Sequence, residues 1–580
     1  MNPGRTDSSP DGRRRGILLA ALACLAFILL FALRASEQTA DSLDYALAAR
    51  TARGMFHPHH LLFTPIVRLL GLVLAFLSPS PDSIVAGQIH NLLWAVTVLV
   101  ATQVVAREIL GADTGAFLAA LGLLVCRGFW LYSTQLEVYV PAMGCLALIA
   151  SILVRCRDRQ LSLRQHLVLA GLLAMAVFYH QANLIFCVPL AYYLMAGGRK
   201  DRRGLVVIFG LAGLAVLSGY VAAFRFSDAN QYAAASLGLQ AERGIRGFLR
   251  FCLTYAYHPS PGWGTWRNVG VMGAGRLVHS QLRDITTFPW SLRFVAIPGF
   301  ALSLALLFGW HLRQALTGRT NDVTRRFLVI WLATHYAFYL WWFPGEKEFF
   351  IIPLVPLALL LALLGRDLLE DRRPSPGRRR MLLAAALSGI GLLGLSNAGT
   401  TILPYHRSRG PAYQDAALLA SRVPADCVAV VDYAVGQNLR YYFDRPTFVE
   451  AQMPLFYFYR REPLPERYRL DGRPCLVADL ALVSPAYALG DLNAYDRPDE
   501  WLRYFEWAFG FEFDGKGELV ASRAFEIVGA PDTGVYVWLH PPVRVTGGLG
   551  PLFGRLDGEW AARVEGGGRP FSSWLARTGR

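Results

Sequence analysis

A succession of apolar runs, each long enough to cross a bilayer as a helix, constrains this chain more than any other feature. The runs start near residues 17, 84, 115, 138, 165, 182, 204, 291, 327, 349 and 381, and each lasts about 17–22 residues. At 1.5 Å rise per residue, about 20 residues cover a ~30 Å hydrocarbon core. The expectation is therefore about eleven spans, with a very short turn between the runs at 165 and 182. Composition agrees. Hydrophobic residues make up 54% of the 580 and charged residues 17%, where a soluble domain carries about 25% charged. Mean hydropathy is +0.33. A disordered chain, a fibrous chain and a purely soluble enzyme are excluded. The expected class is a polytopic α-helical membrane protein with soluble parts.

The net charge is +15. The Arg clusters sit between apolar runs, and no basic face or recognition motif accompanies them. They read as the positive-inside signal and as attraction to anionic lipid, with no nucleic-acid partner. Residues 1–16 end in Arg13-Arg14-Arg15 and the first apolar run follows. It reads as an uncleaved first helix with a cytoplasmic N-terminus. The same side then receives Arg155/Arg157/Arg159/Arg164, Arg199/Lys200/Arg202/Arg203, Arg313/Arg319/Arg325/Arg326 and Arg366/Arg372/Arg373/Arg378/Arg379/Arg380. The other side is poor in Lys and Arg apart from Lys347.

This gives a transmembrane domain over 17–402, with long outer loops at 35–83 and 225–290, and an extracytoplasmic domain over 403–580. In the first loop, Leu61 to Leu77 reads as an interfacial stretch. The tail has soluble composition and buried-strand patterns at Val428–Asp432, from Cys475, and at Asp532–Leu539. A small α/β domain is expected there. None of the eight cysteines forms a CxxC pair, so zinc and redox motifs of that kind are absent. Cys427 and Cys475 both lie in the tail, where an oxidising compartment would allow a disulfide.

Polar residues at the outer ends of the spans carry the functional signal, because charge near a bilayer faces a cavity or a partner. Asp41 and Asp44, three apart, share one face of a helix; together they suit a cation site or a base and its neighbour, and for the motif in isolation helix capping by Asp41 is the preferred reading. In His57-Pro58-His59-His60, three His suggest a metal, but Pro58 is expected to extend the chain and to point His59 and His60 apart. Hydrogen bonding to a phosphate or sugar is the reading preferred, with no metal site assigned. Arg127 and Glu137 bracket an outer turn that continues into Tyr139, and a structural Arg–Glu pair is the plain alternative. His180 lies at a very short outer turn. Lys347 sits in Pro344-Gly-Glu346-Lys347-Glu348, where it suits a lipid phosphate or its flanking acids.

These motifs, in this order, resemble the GT-C-type glycosyltransferases, and among them a group of protein O-mannosyltransferase-like membrane proteins. That group carries Asp-Ser-x-Glu, then His-Pro-Pro-Gly-Tyr-Pro, then Ala-Glu-Val-Tyr. Here Asp41-Ser42-Leu43-Asp44 stands in the first motif with Asp for Glu. His57-Pro58-His59-His60 stands in the second without its Pro-Gly-Tyr. Leu136-Glu137-Val138-Tyr139 matches the third. The likeness covers about residues 17–360.

The resemblance implies a sugar leaving a polyprenyl-phosphate carrier, with inversion, for an acceptor hydroxyl on a protein, lipid or glycan at the outer face. The chemistry of that displacement asks for a base, and Asp41 with Asp44 beside it is the candidate. Arg127 and Lys347 would then bind phosphate, and His57, His60, Glu137, Tyr139 and His180 would orient the substrates. No cofactor is required and a divalent cation is compatible. The implied location is a bacterial inner membrane. A lipid or small-molecule transporter or flippase is the alternative, since intramembrane charge marks transport paths too. No inverted or parallel repeat supports it. A non-enzymatic scaffold leaves the polar cluster unexplained.

Overall fold

The computed structural model describes residues 10–77, 82–196, 201–226, 244–252, 270–288, 290–317, 322–342, 344, 347–370 and 376–445. It also describes the strand residues 448–450, 476–479, 512–513, 519–528 and 536–544. The chain divides into two units. One holds Met1–Glu37 with Tyr45–Ser408, and the other holds Gln38–Asp44 with Arg409–Arg580.

The larger unit is helical. Its long helix Ser83–Leu110 is bounded by signals legible in the sequence. Asp82 accepts the Ile84 N–H at 2.9 Å at its start, and Gly111, at φ 65°, ends it in the left-handed region that glycine tolerates. Around it lie Asp113–Leu124, Tyr139–Arg155 and Phe63–Leu74. Approach to Tyr139–Arg155 is close, and a Cβ on Gly144 would meet the Trp94 ring at 2.4 Å. Helix Leu163–Tyr179 opens with a Ser162/Gln165 capping box.

Four helical stretches are long and apolar enough to cross a membrane unaided among the described residues: Ser83–Leu110, Arg202–Arg225, Arg293–Leu316 and the run opening at Arg380. The pair Asp113–Leu124 and Arg127–Thr134, bent by 66°, makes a fifth if it is one span. Each other apolar run is also helical, but shorter or interrupted by polar residues such as Arg325, Arg326 and His335. The outward faces of the long helices expose Val206, Leu214, Leu306 and Leu395. Apolar area on this scale fits lipid, and the chain is an integral membrane protein. The stretch expected to lie in the interface is the helix Phe63–Leu74; it buries Phe63, Thr64 and Val67 and exposes Leu69 and Leu72. Of the second outer loop, Gly244–Cys252 and Val271–Ile285 are helices, while residues 227–243 and 253–269 lie outside the described residues.

In the smaller unit, helix Pro411–Arg422 leads into strand β1 (Val428–Val431), and helix Tyr433–Phe443 follows. The other strands are β2 (Phe448–Glu450), β3 (Leu476–Asp479), β4 (Glu512–Phe513), β5 (Leu519–Val528) and β6 (Tyr536–Arg544). They form one sheet in the order β2-β1-β3-β6-β5-β4. β1 pairs in parallel with β2 and β3, and the remaining pairs are antiparallel. The helix between β1 and β2 supplies the crossover that parallel strands require. Ala416, Leu419, Val431, Val435 and Leu439 form the core beneath it. Cys427 is disulfide-bonded, and Cys475 lies outside the described residues.

Candidate active site

The acidic motif opens helix Ala40–Thr51. Its cap is not Asp41. Thr39 Oγ1 accepts the Ser42 N–H at 3.0 Å, so the duty that would explain Asp41 plainly belongs to its neighbour. Asp41 stands exposed in the first turn, one turn from half-buried Asp44. Gln437, on helix Tyr433–Phe443, donates through Nε2 to Asp44 Oδ1 at 3.4 Å.

In the larger unit, the His-rich motif turns rather than extends. The His60 N–H donates to the His57 carbonyl at 3.0 Å, and Pro58 fills the second position of that turn, where its fixed φ suits it. The expectation that Pro58 separates the imidazoles is thereby corrected. His57 and His60 stack at 5.0 Å, His59 meets His57 edge-on at 4.8 Å, and the candidate ligand atoms of all three lie within 4.8 Å of one another. Burial pushes His57 down to about 4. Burial first, then His57 and His180, hold His60 well below the ordinary histidine range. At neutral pH these rings are uncharged.

His180 ends helix Leu163–Tyr179, and its Nδ1 accepts the Ala182 N–H at 3.2 Å. Its ring lies 5.2 Å from His60 on one side and 5.2 Å from Tyr139 on the other. The Tyr139 hydroxyl donates to Glu348 Oε2 at 3.0 Å. The loop before Tyr139 is held from the central helix. Asn91 Nδ2 donates to the carbonyls of Gln135 at 2.8 Å and Glu137 at 2.7 Å, and Gln88 Nε2 donates to that of Thr134 at 2.8 Å. Glu137 is buried, and so is Tyr132, whose hydroxyl has no hydrogen-bond partner among the described residues. Tyr132 feels the charges of Glu348, Asp284 and Glu137, and of Arg127 against them. Asp284 is fully buried and so close to Gly128 that a Cβ there would meet its carboxylate at 2.7 Å. Arg127 donates to the Arg283 carbonyl at 3.3 Å and bonds the Tyr405 hydroxyl.

Within this unit, then, His57, His60, His180 and Tyr139 form one continuous set with Glu348, and Glu137 and Arg127 flank Tyr132. Lys347 opens the short helix Lys347–Ile351, and its side chain lies outside the described residues. Sequence reasoning missed Glu348, Asp284, Tyr132, Asn91 and Gln88. Glu348 was within reach, as an acid beside Lys347 at an outer turn. Asp284 had no neighbouring motif to mark it.

Residues 59–203 match the family model of the protein O-mannosyl-transferase TMEM260 N-terminal domain. His59, His60, Arg127, Glu137, Tyr139 and His180 fall inside the match. No curated protein matches the chain. Among solved structures, ArnT from Cupriavidus metallidurans, determined bound to undecaprenyl phosphate, is 11% identical with a TM-score of 0.52. The alignment covers 90% of this chain and 97% of that one. The Archaeoglobus fulgidus oligosaccharyltransferase, determined tethered with an acceptor peptide, is 13% identical with a TM-score of 0.50, covering 87% and 73%. At these identities the likeness is one of fold, and the fold is that of the GT-C membrane glycosyltransferases. Fold and family match together support a glycosyltransferase with an O-mannosyltransferase-like segment.

Proposed function

We propose that this GT-C-type membrane glycosyltransferase moves a sugar, mannose by the family match, from a polyprenyl-phosphate carrier to an acceptor hydroxyl, with inversion at the anomeric carbon. One observation carries the reading. The segment that matches the mannosyltransferase-like family contains His60, Glu137, Tyr139 and His180, and the fold gathers His60, His180 and Tyr139 into one buried set. The lipid phosphate bound by ArnT and the peptide tethered to the oligosaccharyltransferase make a lipid-linked donor and a protein acceptor the first pair to try.

Displacement at a glycosyl phosphate needs a base for the acceptor proton, cations for the departing phosphate and substrates held in line. Asp41 is the proposed base. Asp44 stands one turn on, on the same face of the helix. Arg127 and Lys347 receive the phosphate. Tyr139, Tyr132, Glu137 and the neutral His57, His60 and His180 offer the donors and acceptors that sugar hydroxyls require. The leaving group is already a phosphate ester, so no nucleotide is needed. The proposed topology has about eleven spans, a cytoplasmic N-terminus and an α/β tail outside the cytoplasm of a bacterial inner membrane. The disulfide at Cys427, beside six free cysteines in the helical unit, supports an oxidising compartment for the tail.

The test uses purified protein in nanodiscs with radiolabelled polyprenyl-phosphate sugars and candidate acceptor peptides. Release of free polyprenyl phosphate that depends on Asp41 is expected. No release from any donor, with lipid flipping in its place, would overturn the reading in favour of a flippase.

A further inference from the structure

We propose that His57, His59 and His60 hold a first-row transition-metal dication of the zinc or cobalt type. The turn that gathers them is built from behind. The Pro58 carbonyl accepts from Gln181 Nε2 at 2.9 Å and from the Tyr220 hydroxyl at 2.7 Å, and the His59 carbonyl accepts the Gln181 N–H at 3.3 Å. Two helical segments distant in sequence thus fix a three-residue set that a free loop would not hold.

The second observation lies in His60. Its Nδ1 faces the Tyr179 carbonyl at 3.1 Å. A carbonyl only accepts, so Nδ1 carries the proton and Nε2 keeps its lone pair. That is the arrangement by which proteins orient an imidazole toward a metal: one ring nitrogen donates to a carbonyl while the other ligates. His57 starts from a different state, since its Nδ1 accepts the His59 N–H at 3.2 Å. Ligation through either of its nitrogens displaces that one long bond, in exchange for a metal–nitrogen bond.

Three nitrogens bound at about 2.0–2.1 Å in a tetrahedron stand about 3.4 Å apart. The ligand atoms here, within 4.8 Å of one another, reach that spacing by side-chain rotation. An all-imidazole set selects zinc, cobalt, nickel or copper over magnesium and calcium, which prefer oxygen. Three protein ligands leave a position for water or an anionic oxygen, as in metal sites that bind substrate. The site stands independently of the sugar-transfer reading.

The full chain, purified without a polyhistidine tag and stripped with chelator, is titrated with cobalt(II). The expected result is stoichiometric uptake with a visible ligand-field band, reversed by zinc. His59→Ala and His60→Ala lose both, His406→Ala keeps both, and Gln181→Ala weakens affinity by about 10–100-fold. Stoichiometric uptake that survives the triple His57→Ala/His59→Ala/His60→Ala variant, or none by the folded wild type, overturns the proposal. Where the alanine variants do not fold, copper-loaded wild type examined by spin-echo spectroscopy decides. Three coupled imidazoles are expected, and fewer sink the triad.

Discussion

Helix Val323–Trp342, about 30 Å long by its 20 residues, separates two buried polar regions built on opposite principles. At its first turn the charges are matched. Arg325 forks onto Asp367 at 2.7 and 2.8 Å, Trp310 donates to the same carboxylate at 3.1 Å, and Asp322 reaches Arg325 at 3.5 Å. After its last turn stand Glu348, Tyr139, His180 and His60, with Glu137, Asp284, Tyr132 and Arg127 nearby: acids, phenols, neutral imidazoles and a guanidinium. The first region is closed, its donors and acceptors consumed by each other in bidentate geometry. The second is weighted toward groups that bind hydroxyls and phosphate esters. Both are equally polar in sequence. Burial with a complementary partner makes a brace, and burial in acid-rich company makes a site.

The comparison is tested most severely by Asp41→Asn. It should lower transfer by about 10²–10⁴-fold while the protein folds normally, measured as release of free polyprenyl phosphate. Full activity removes Asp41 from the chemistry. At the matched end, Arg325→Ala removes the bidentate partner of the Asp367 carboxylate, which keeps Trp310 and Arg366. It should destabilise by about 1.5–3 kcal/mol, read from thermal unfolding in detergent, with turnover per folded molecule unchanged. Loss of turnover at unchanged stability would erase the distinction between brace and site. Tyr139→Phe removes a hydrogen bond to a carboxylate, of the kind worth about 1.5–3 kcal/mol. A fall of about 10–150-fold in kcat/KM is expected. An unchanged kcat/KM would leave the Tyr139–Glu348 contact structural. Smallest in stability is Tyr132→Phe. Its hydroxyl has no partner among the described residues, so melting should move by less than about 1 kcal/mol equivalent. Transfer should still fall, and retention of full transfer would take Tyr132 out of the substrate's reach.

Particular residues show what could be read in advance. The helices at 83–110, 139–155 and 163–179 follow from apolar length and from Asp82, Gly111 and Ser162, all local signals. That His57, His60, His180 and Tyr139 stand out as chemistry-bearing side chains at span ends was legible in short motifs, and that they meet was not. The turn at His57–His60 was misjudged. Pro58 alone favours extension, and the turn is fixed from outside by residues far along the chain, among them Tyr179, Gln181 and Tyr220. The count of about eleven spans rests on apolar length along the chain; four described helices pass that test unaided, or five with the bent pair, and helix Val323–Trp342 carries Arg325 and His335 within a bundle.

The sequence by itself determined that the chain enters a membrane as helices, and where acids and imidazoles occur along it. Hydrophobic length and local capping act over one or two turns, so they need no partner to be read. Tertiary structure alone decided that Glu348 meets Tyr139 across 209 residues and that Asp284 lies against Gly128. It alone decided that Thr39 rather than Asp41 caps its helix and that three imidazoles face one another. Long-range neighbours are chosen by how whole helices pack, and that choice depends on every buried contact at once.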